Sequence, residues 1–181
     1  PSGSIALELE RIAPLMQHVL ATNAALTIDM EHHELKPLVI ETFKALVERY
    51  ADATWHPGIA LQAYLPGTPE DLVRLLRWVR SHGRPVSVRL VKGAYWDTEV
   101  AAAHQREWPV PVYLRKSETD ANYERLTRTL FDNADLVFPA IAGHNLRSLA
   151  HAIVAAEAAG LPPDRWGIQM LYRMAETRQA A

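Results

Sequence analysis

Short apolar runs rich in β-branched residues interchange along the whole chain with longer stretches whose apolar positions recur every three or four residues. The short runs predict strands at 26–31, 59–64, 86–91, 112–114, 136–142 and 168–171. The longer stretches predict helices at about 4–21, 35–50, 95–107, 120–131 and 145–159, and one more from Thr68 to the residue before Gly83. Punctuation supports these assignments. Thr68-Pro69-Glu70-Asp71 offers a cap, a proline for the first turn and two acids, and Gly83 suits a left-handed helix end. Gly160 with Pro162-Pro163 closes the last helix, and Pro14 should kink or split the first. Successive predicted strands start about 25–33 residues apart, the length of one right-handed strand–helix unit. The class is therefore α/β with parallel strands, either doubly wound or a (β/α)8 barrel. A barrel typically needs about 250 residues and eight strands, so six strands in one undivided domain spanning 1–181 would be an incomplete one.

Composition narrows the function classes. With 181 residues, 49% hydrophobic and 22% charged, the chain can build one core, and no apolar run reaches the length of a membrane span. It reads as a cytoplasmic protein, and a start without methionine suggests a piece of a longer one. The absence of cysteine removes thiolate nucleophiles and Cys-ligated metals. A net charge of −2 with both signs interspersed offers no stripe for nucleic acid.

Polar residues collect at the C-terminal ends of the predicted strands, where barrel enzymes build their sites. Strand one ends in Asp29-Met30-Glu31, strand two in Gln62-Ala63-Tyr64, strand three in Arg89-Leu90-Val91-Lys92-Gly93, and strand six holds Gln169 before Leu171. The remaining two lead into Arg115-Lys116 and His144-Asn145. Gln62, Arg89 and Gln169 sit among apolar neighbours, and burying them costs free energy unless they are paired. From Arg89 to Asp97 there are two cations, then small residues, then Tyr95 and Trp96, a set suited to a flat anionic or electron-accepting ring. Trp96 serves equally well as a core anchor, and Lys92 as a surface residue. The run from Asp29 to Glu34 contains metal-ligand residue types but lacks the spacing of a metal motif, so no metal is expected. Arg115-Lys116 with Thr119 at a helix start could hold a phosphate. Neither GxGxxG nor GxxxxGK[ST] occurs.

In order and spacing, Asp29-Met30-Glu31, Leu61-Gln62-Ala63-Tyr64, RLVKGAYWD at 89–97, Arg115-Lys116 with Thr119-Asp120, His144-Asn145 and Gln169-Met170-Leu171-Tyr172 resemble the proline dehydrogenase family. That family includes the proline dehydrogenase domain of bifunctional proline utilization A. The resemblance implies a distorted (β/α)8 barrel that binds FAD and oxidises L-proline to 1-pyrroline-5-carboxylate, with electrons passed to a membrane quinone. It implies that Arg89 lies beside the flavin, that Gln62 bonds the ring, and that Val91, Gly93 and Trp96 complete the cofactor wall. Lys116, Thr119, His144 and Asn145 would reach the pyrophosphate, ribose or adenine, and Gln169 would line the same cleft. Ala94, Tyr95 and Leu171 would pack on the proline ring, while Asp29 would orient a lysine of the preceding strand. That lysine, and an arginine pair for the substrate carboxylate, are not in this chain. Gly143 stands where the family has Ser or Thr, and Arg173 where a Gly is expected. Two other readings remain: a Schiff-base lyase using Lys92, and a barrel fragment that is inactive or depends on a partner. An open barrel would also expose sheet edges and self-associate.

Overall fold

The computed structural model describes residues 2–171. Five parallel strands, β1 (Ala25–Ile28), β2 (His56–Gln62), β3 (Val86–Val91), β4 (Val137–Ala142) and β5 (Gly167–Gln169), lie side by side in chain order. A doubly wound sheet reverses its strand order at a switch point. This sheet never does, so it is an arc of a barrel, as the TIM-barrel-like reading expects. Six helices accompany it: α1 (Ser2–Thr22), α2 (Lys36–Arg49), α3 (Thr68–His82), α4 (Trp96–Gln105), α5 (Lys116–Phe131) and α6 (Leu146–Ala158).

Three expectations are corrected. Residues 112–114 form no strand. Prolines at 109 and 111 remove ladder donors just before that run, which instead packs Val112 against Tyr64 and Leu65 and donates from the Tyr113 amide to Tyr64 O at 2.8 Å. Helices α4 and α5 therefore both lie between β3 and β4, and the described strands number five, not six. Pro14 does not split α1, because Ile12, Met16 and Val19 pack into the core on both sides of it. Thr68 is not a cap but the first residue of α3, and its hydroxyl donates to Gln62 O at 2.6 Å. Gly83 does end α3 in the left-handed region, at φ 80.

Alternation along the strands separates two environments. Val86, Val88 and Leu90 of β3 are buried beneath the helices, where Leu46, Ile59, Leu72, Leu126 and Ile141 join them in one core. Arg89 faces the other way, and its register neighbours across the sheet are Ala60 on β2 and Ala140 on β4, which in turn faces Gly167 on β5. One large cation thus stands in a row of the smallest residues, which leaves space around it.

Candidate functional site

A cleft of about 1010 Å³ opens at the C-terminal ends of the strands. Twelve of the residues singled out from the sequence line it: Asp29, Gln62, Arg89, Val91, Lys92, Gly93, Ala94, Tyr95, His144, Asn145, Gln169 and Leu171. Three do not. Trp96 is turned away, 39% exposed, and its indole N–H donates to Tyr113 O at 2.8 Å. Lys116 reaches out from the first turn of α5 to Asp120, and Thr119 is buried beside it. The cleft also takes in residues to which the sequence reading gave no role, among them Met30, Glu31 and Ser148. Met30 and Glu31 act there through backbone carbonyls, which no side-chain pattern could reveal.

The Arg89 guanidinium is the centre of this wall. Its Nε donates to Gln169 Oε1 at 2.7 Å and one terminal nitrogen donates to Asp29 Oδ1 at 2.6 Å. Strands β1, β3 and β5 thereby converge on one cation whose plane is held by two side chains. Asp29 is the partner of Arg89 here, and the lysine it is expected to orient is not among these residues. Gln62, 2% exposed, donates from Nε2 to Met30 O at 3.0 Å and Glu31 O at 2.9 Å. Its Oε1 is buried without a partner, which is a costly condition unless a donor arrives.

Gly93 adopts φ 119, and a Cβ there would stand 2.5 Å from Tyr64 Cγ, so only glycine allows the chain to turn over the Tyr64 ring. The Tyr64 hydroxyl is buried and unpartnered; burial first, then the nearby Glu99 charge, raises its pKa above the ordinary phenol range. Lys92 pairs with Asp120 and lies 5.4 Å from the centre of the Tyr123 ring. Burial alone would raise the Asp120 pKa, but hydrogen bonds from Lys116 and then Lys92 hold it below the usual carboxylate value. A Schiff-base lyase would react through the Lys92 amine, which here is engaged by Asp120.

Asn145 caps α6, accepting from the Ser148 amide at 3.2 Å, while His144 Nε2 accepts from the Leu171 amide at 3.0 Å. Both cleft residues therefore also hold the local backbone. Among the described residues no group of three His, Cys, Asp or Glu is arranged for a metal, and His32 and His33 instead approach Glu99. Among them, too, no helix is long and apolar enough to cross a membrane. Tyr172 and Arg173 lie outside the described residues.

The arrangement agrees with comparison to known proteins. The family model for proline dehydrogenase matches residues 1–181. The bifunctional protein PutA of Klebsiella aerogenes is 31% identical over 153 residues, covering 83% of this chain and 12% of its own length. Proline dehydrogenase 2 of Bacillus subtilis is 28% identical over 173 residues, and the chain spans 50% of that protein. Among solved structures, proline utilization A from Bdellovibrio bacteriovorus inactivated by N-propargylglycine superposes with a TM-score of 0.91 at 38% identity, covering 97% of this chain and 18% of that one. Proline utilization A from Corynebacterium freiburgense gives 0.92 at 29% identity, covering 98% and 19%. A rim built on Arg89, Gln62 and Gln169, a five-strand arc that follows the solved domains, and a family model matched from end to end leave one assignment: the chain belongs to the proline dehydrogenase family.

Proposed function

We propose that residues 1–181 form a partial barrel domain that holds FAD and serves the oxidation of L-proline to 1-pyrroline-5-carboxylate, with electrons passing to a quinone. The observation that carries this reading is the Arg89 guanidinium pinned between Asp29 and Gln169, next to the unpartnered Oε1 of Gln62. A flat heterocycle with ring N–H and carbonyl edges matches that pair, since Gln62 offers an acceptor and Arg89 offers donors and positive charge. Ala60, Ala140 and Gly167 keep the row around Arg89 small enough for such a ring.

FAD, when bound, supplies the two-electron acceptor; the protein supplies position and electrostatics. Arg89 favours negative charge on the group beside it, and its two side-chain partners hold it there without reorganisation. Gly93 brings backbone close to the ring, with Val91 beside it in the wall. Lys116 and Lys92 meet on Asp120 near the start of α5, and a diphosphate would draw on the same cations at that helix end. His144 and Asn145 line the same rim for the nucleoside end. Ala94, Tyr95 and Leu171 form the wall against which a pyrrolidine ring would pack. Excluding water there would let the substrate carbon be held at reacting distance, a positional effect that needs no protein nucleophile. We place the protein in the cytoplasm, with peripheral contact at the inner face of the membrane where it would meet the quinone. The outer strands β1 and β5 each have one neighbour among the described residues, which favours self-association.

The test is the visible spectrum of the purified chain, followed by L-proline under anaerobic conditions. A flavin spectrum that bleaches is the expected outcome. Flavin that stays oxidised would confine this chain to cofactor binding. A protein that remains colourless with added FAD would overturn the flavin reading and favour an inactive or partner-dependent fragment.

A further inference from the structure

We infer that Glu99, which lies outside the cleft, is a positioning residue that decides which end of the Gln62 amide is left for a ligand; the inference rests on the flavin reading above. Glu99 sits in the first turns of α4 with its side chain 4% exposed. Among the described residues its ion-pair partners are two imidazoles, His33 through Nδ1 and His32 at 3.7 Å. It also accepts from the His33 backbone amide at 2.8 Å. A carboxylate this buried is satisfied only as long as the segment carrying those histidines stays in place.

That segment is the connection leaving β1, and every cleft contact it makes lies within four residues of His33. Asp29 accepts from Arg89, and the carbonyls of Met30 and Glu31 accept from Gln62 Nε2. Carbonyl oxygens only accept, so the amide must present its NH₂ to them, and Oε1 is the atom left without a partner. If the connection drifted, Gln62 would lose both acceptors at once and its amide could turn, offering donors where a ring N–H needs an acceptor. Other contacts between α4 and the connection are weaker holds. Arg106 pairs with Glu34 on the surface, with both side chains more than 40% exposed, and the His32 and Tyr95 rings stand 5.2 Å apart. The buried Glu99 contact is the one whose loss leaves an unsatisfied charge.

The experiment uses this chain with Glu99→Ala, Glu99→Gln, Gln62→Ala and the Glu99→Ala/Gln62→Ala pair. Side-chain amide exchange of Gln62 and backbone exchange over 29–35 are read by NMR without FAD. FAD affinity is read separately by fluorescence quenching. Glu99→Ala is expected to speed both exchange signals by about tenfold, the usual scale for losing a buried hydrogen bond to a charged group, and to weaken FAD binding similarly. Glu99→Gln, whose carbonyl still accepts from the His33 amide, should restore part of both. In the Gln62→Ala background, Glu99→Ala should cost clearly less FAD affinity than it does alone, since the part carried by the Gln62 amide is already gone and only the hold on Asp29 and Arg89 remains. Unchanged exchange in Glu99→Ala would overturn the proposal, as would acceleration spread evenly along the chain or an additive double variant. If Glu99→Ala does not fold, His33→Ala removes the imidazole contact from its more exposed side while the backbone contact stays, and the same criteria apply with a smaller expected change. If the wild-type chain takes up no FAD, the flavin reading fails, while exchange at Gln62 still decides whether Glu99 sets its amide.

Discussion

Two arginines bracket β3, and their surroundings differ in kind. Arg84, just before the strand, donates to the backbone carbonyls of Tyr50, Ala51, Ala53 and Trp55 at 2.8–3.0 Å and stacks over the Trp55 ring at 5.3 Å. Partial burial lowers its pKa. Its donors are spent on tying the turn after α2 to the sheet, and no side-chain oxygen takes part. Arg89, near the other end of the strand, donates to two side chains that line the cleft. The same residue type therefore closes the fold at one end of the barrel arc and builds the site at the other. The N-terminal face is tied together through backbone carbonyls and the C-terminal face carries the cleft, the division expected of a barrel.

Substitutions can break that division or sharpen it. Arg84→Ala takes a donor from four carbonyls and should lower unfolding free energy by about 2 kcal/mol in urea titration, with FAD affinity of the folded fraction unchanged. Gly93→Ala forces a side chain into positive φ and onto the Tyr64 ring; a loss of about 1–2 kcal/mol is expected in the same titration, together with weaker FAD binding because Gly93 lines the cleft. Arg89→Lys keeps the charge but cannot bond Asp29 and Gln169 in one plane. Stability should move by less than about 1 kcal/mol while FAD affinity falls about tenfold, and an Arg89→Lys protein that bound FAD normally would erase the contrast with Arg84.

The smallest effect concerns acid. The folded-state pKa of Asp120 is depressed by Lys116 and Lys92, so its contribution is present above the ordinary carboxylate pKa and is lost as pH falls through the folded value. Melting temperature followed downward from neutral pH should therefore decline more gently in Asp120→Asn than in wild type. Equal slopes would mean that the two lysines do no net work on this carboxylate.

Much of this is legible in the sequence. The strand ends named from polarity alone, Asp29, Gln62, Arg89 and Gln169, do converge on one cleft, because every second residue of a strand faces away from the helices and those nearest its C-terminal end meet the rim. Other readings failed for local reasons. The run at 112–114 looks like a strand by residue type, but its neighbouring prolines deny it a ladder. Trp96 and Thr119 sit within matching motifs, yet neither lines the cleft: Trp96 begins α4 with its indole turned to Tyr113, and Thr119 is buried in the first turn of α5.

The sequence by itself determined the parallel α/β arc, the polar strand ends and the family, since periodicity and a contiguous motif such as RLVKGAYWD are local properties. Only the tertiary structure decided the partnerships: Arg89 with Asp29 and Gln169, Lys92 with Asp120, Gln62 with two backbone carbonyls, and Glu99 with His33. Each joins residues at least 28 positions apart in the chain, as far as 80 for Arg89 and Gln169. Such pairs depend on strand register and on which way a helix begins, and neither is encoded in the residues that finally touch.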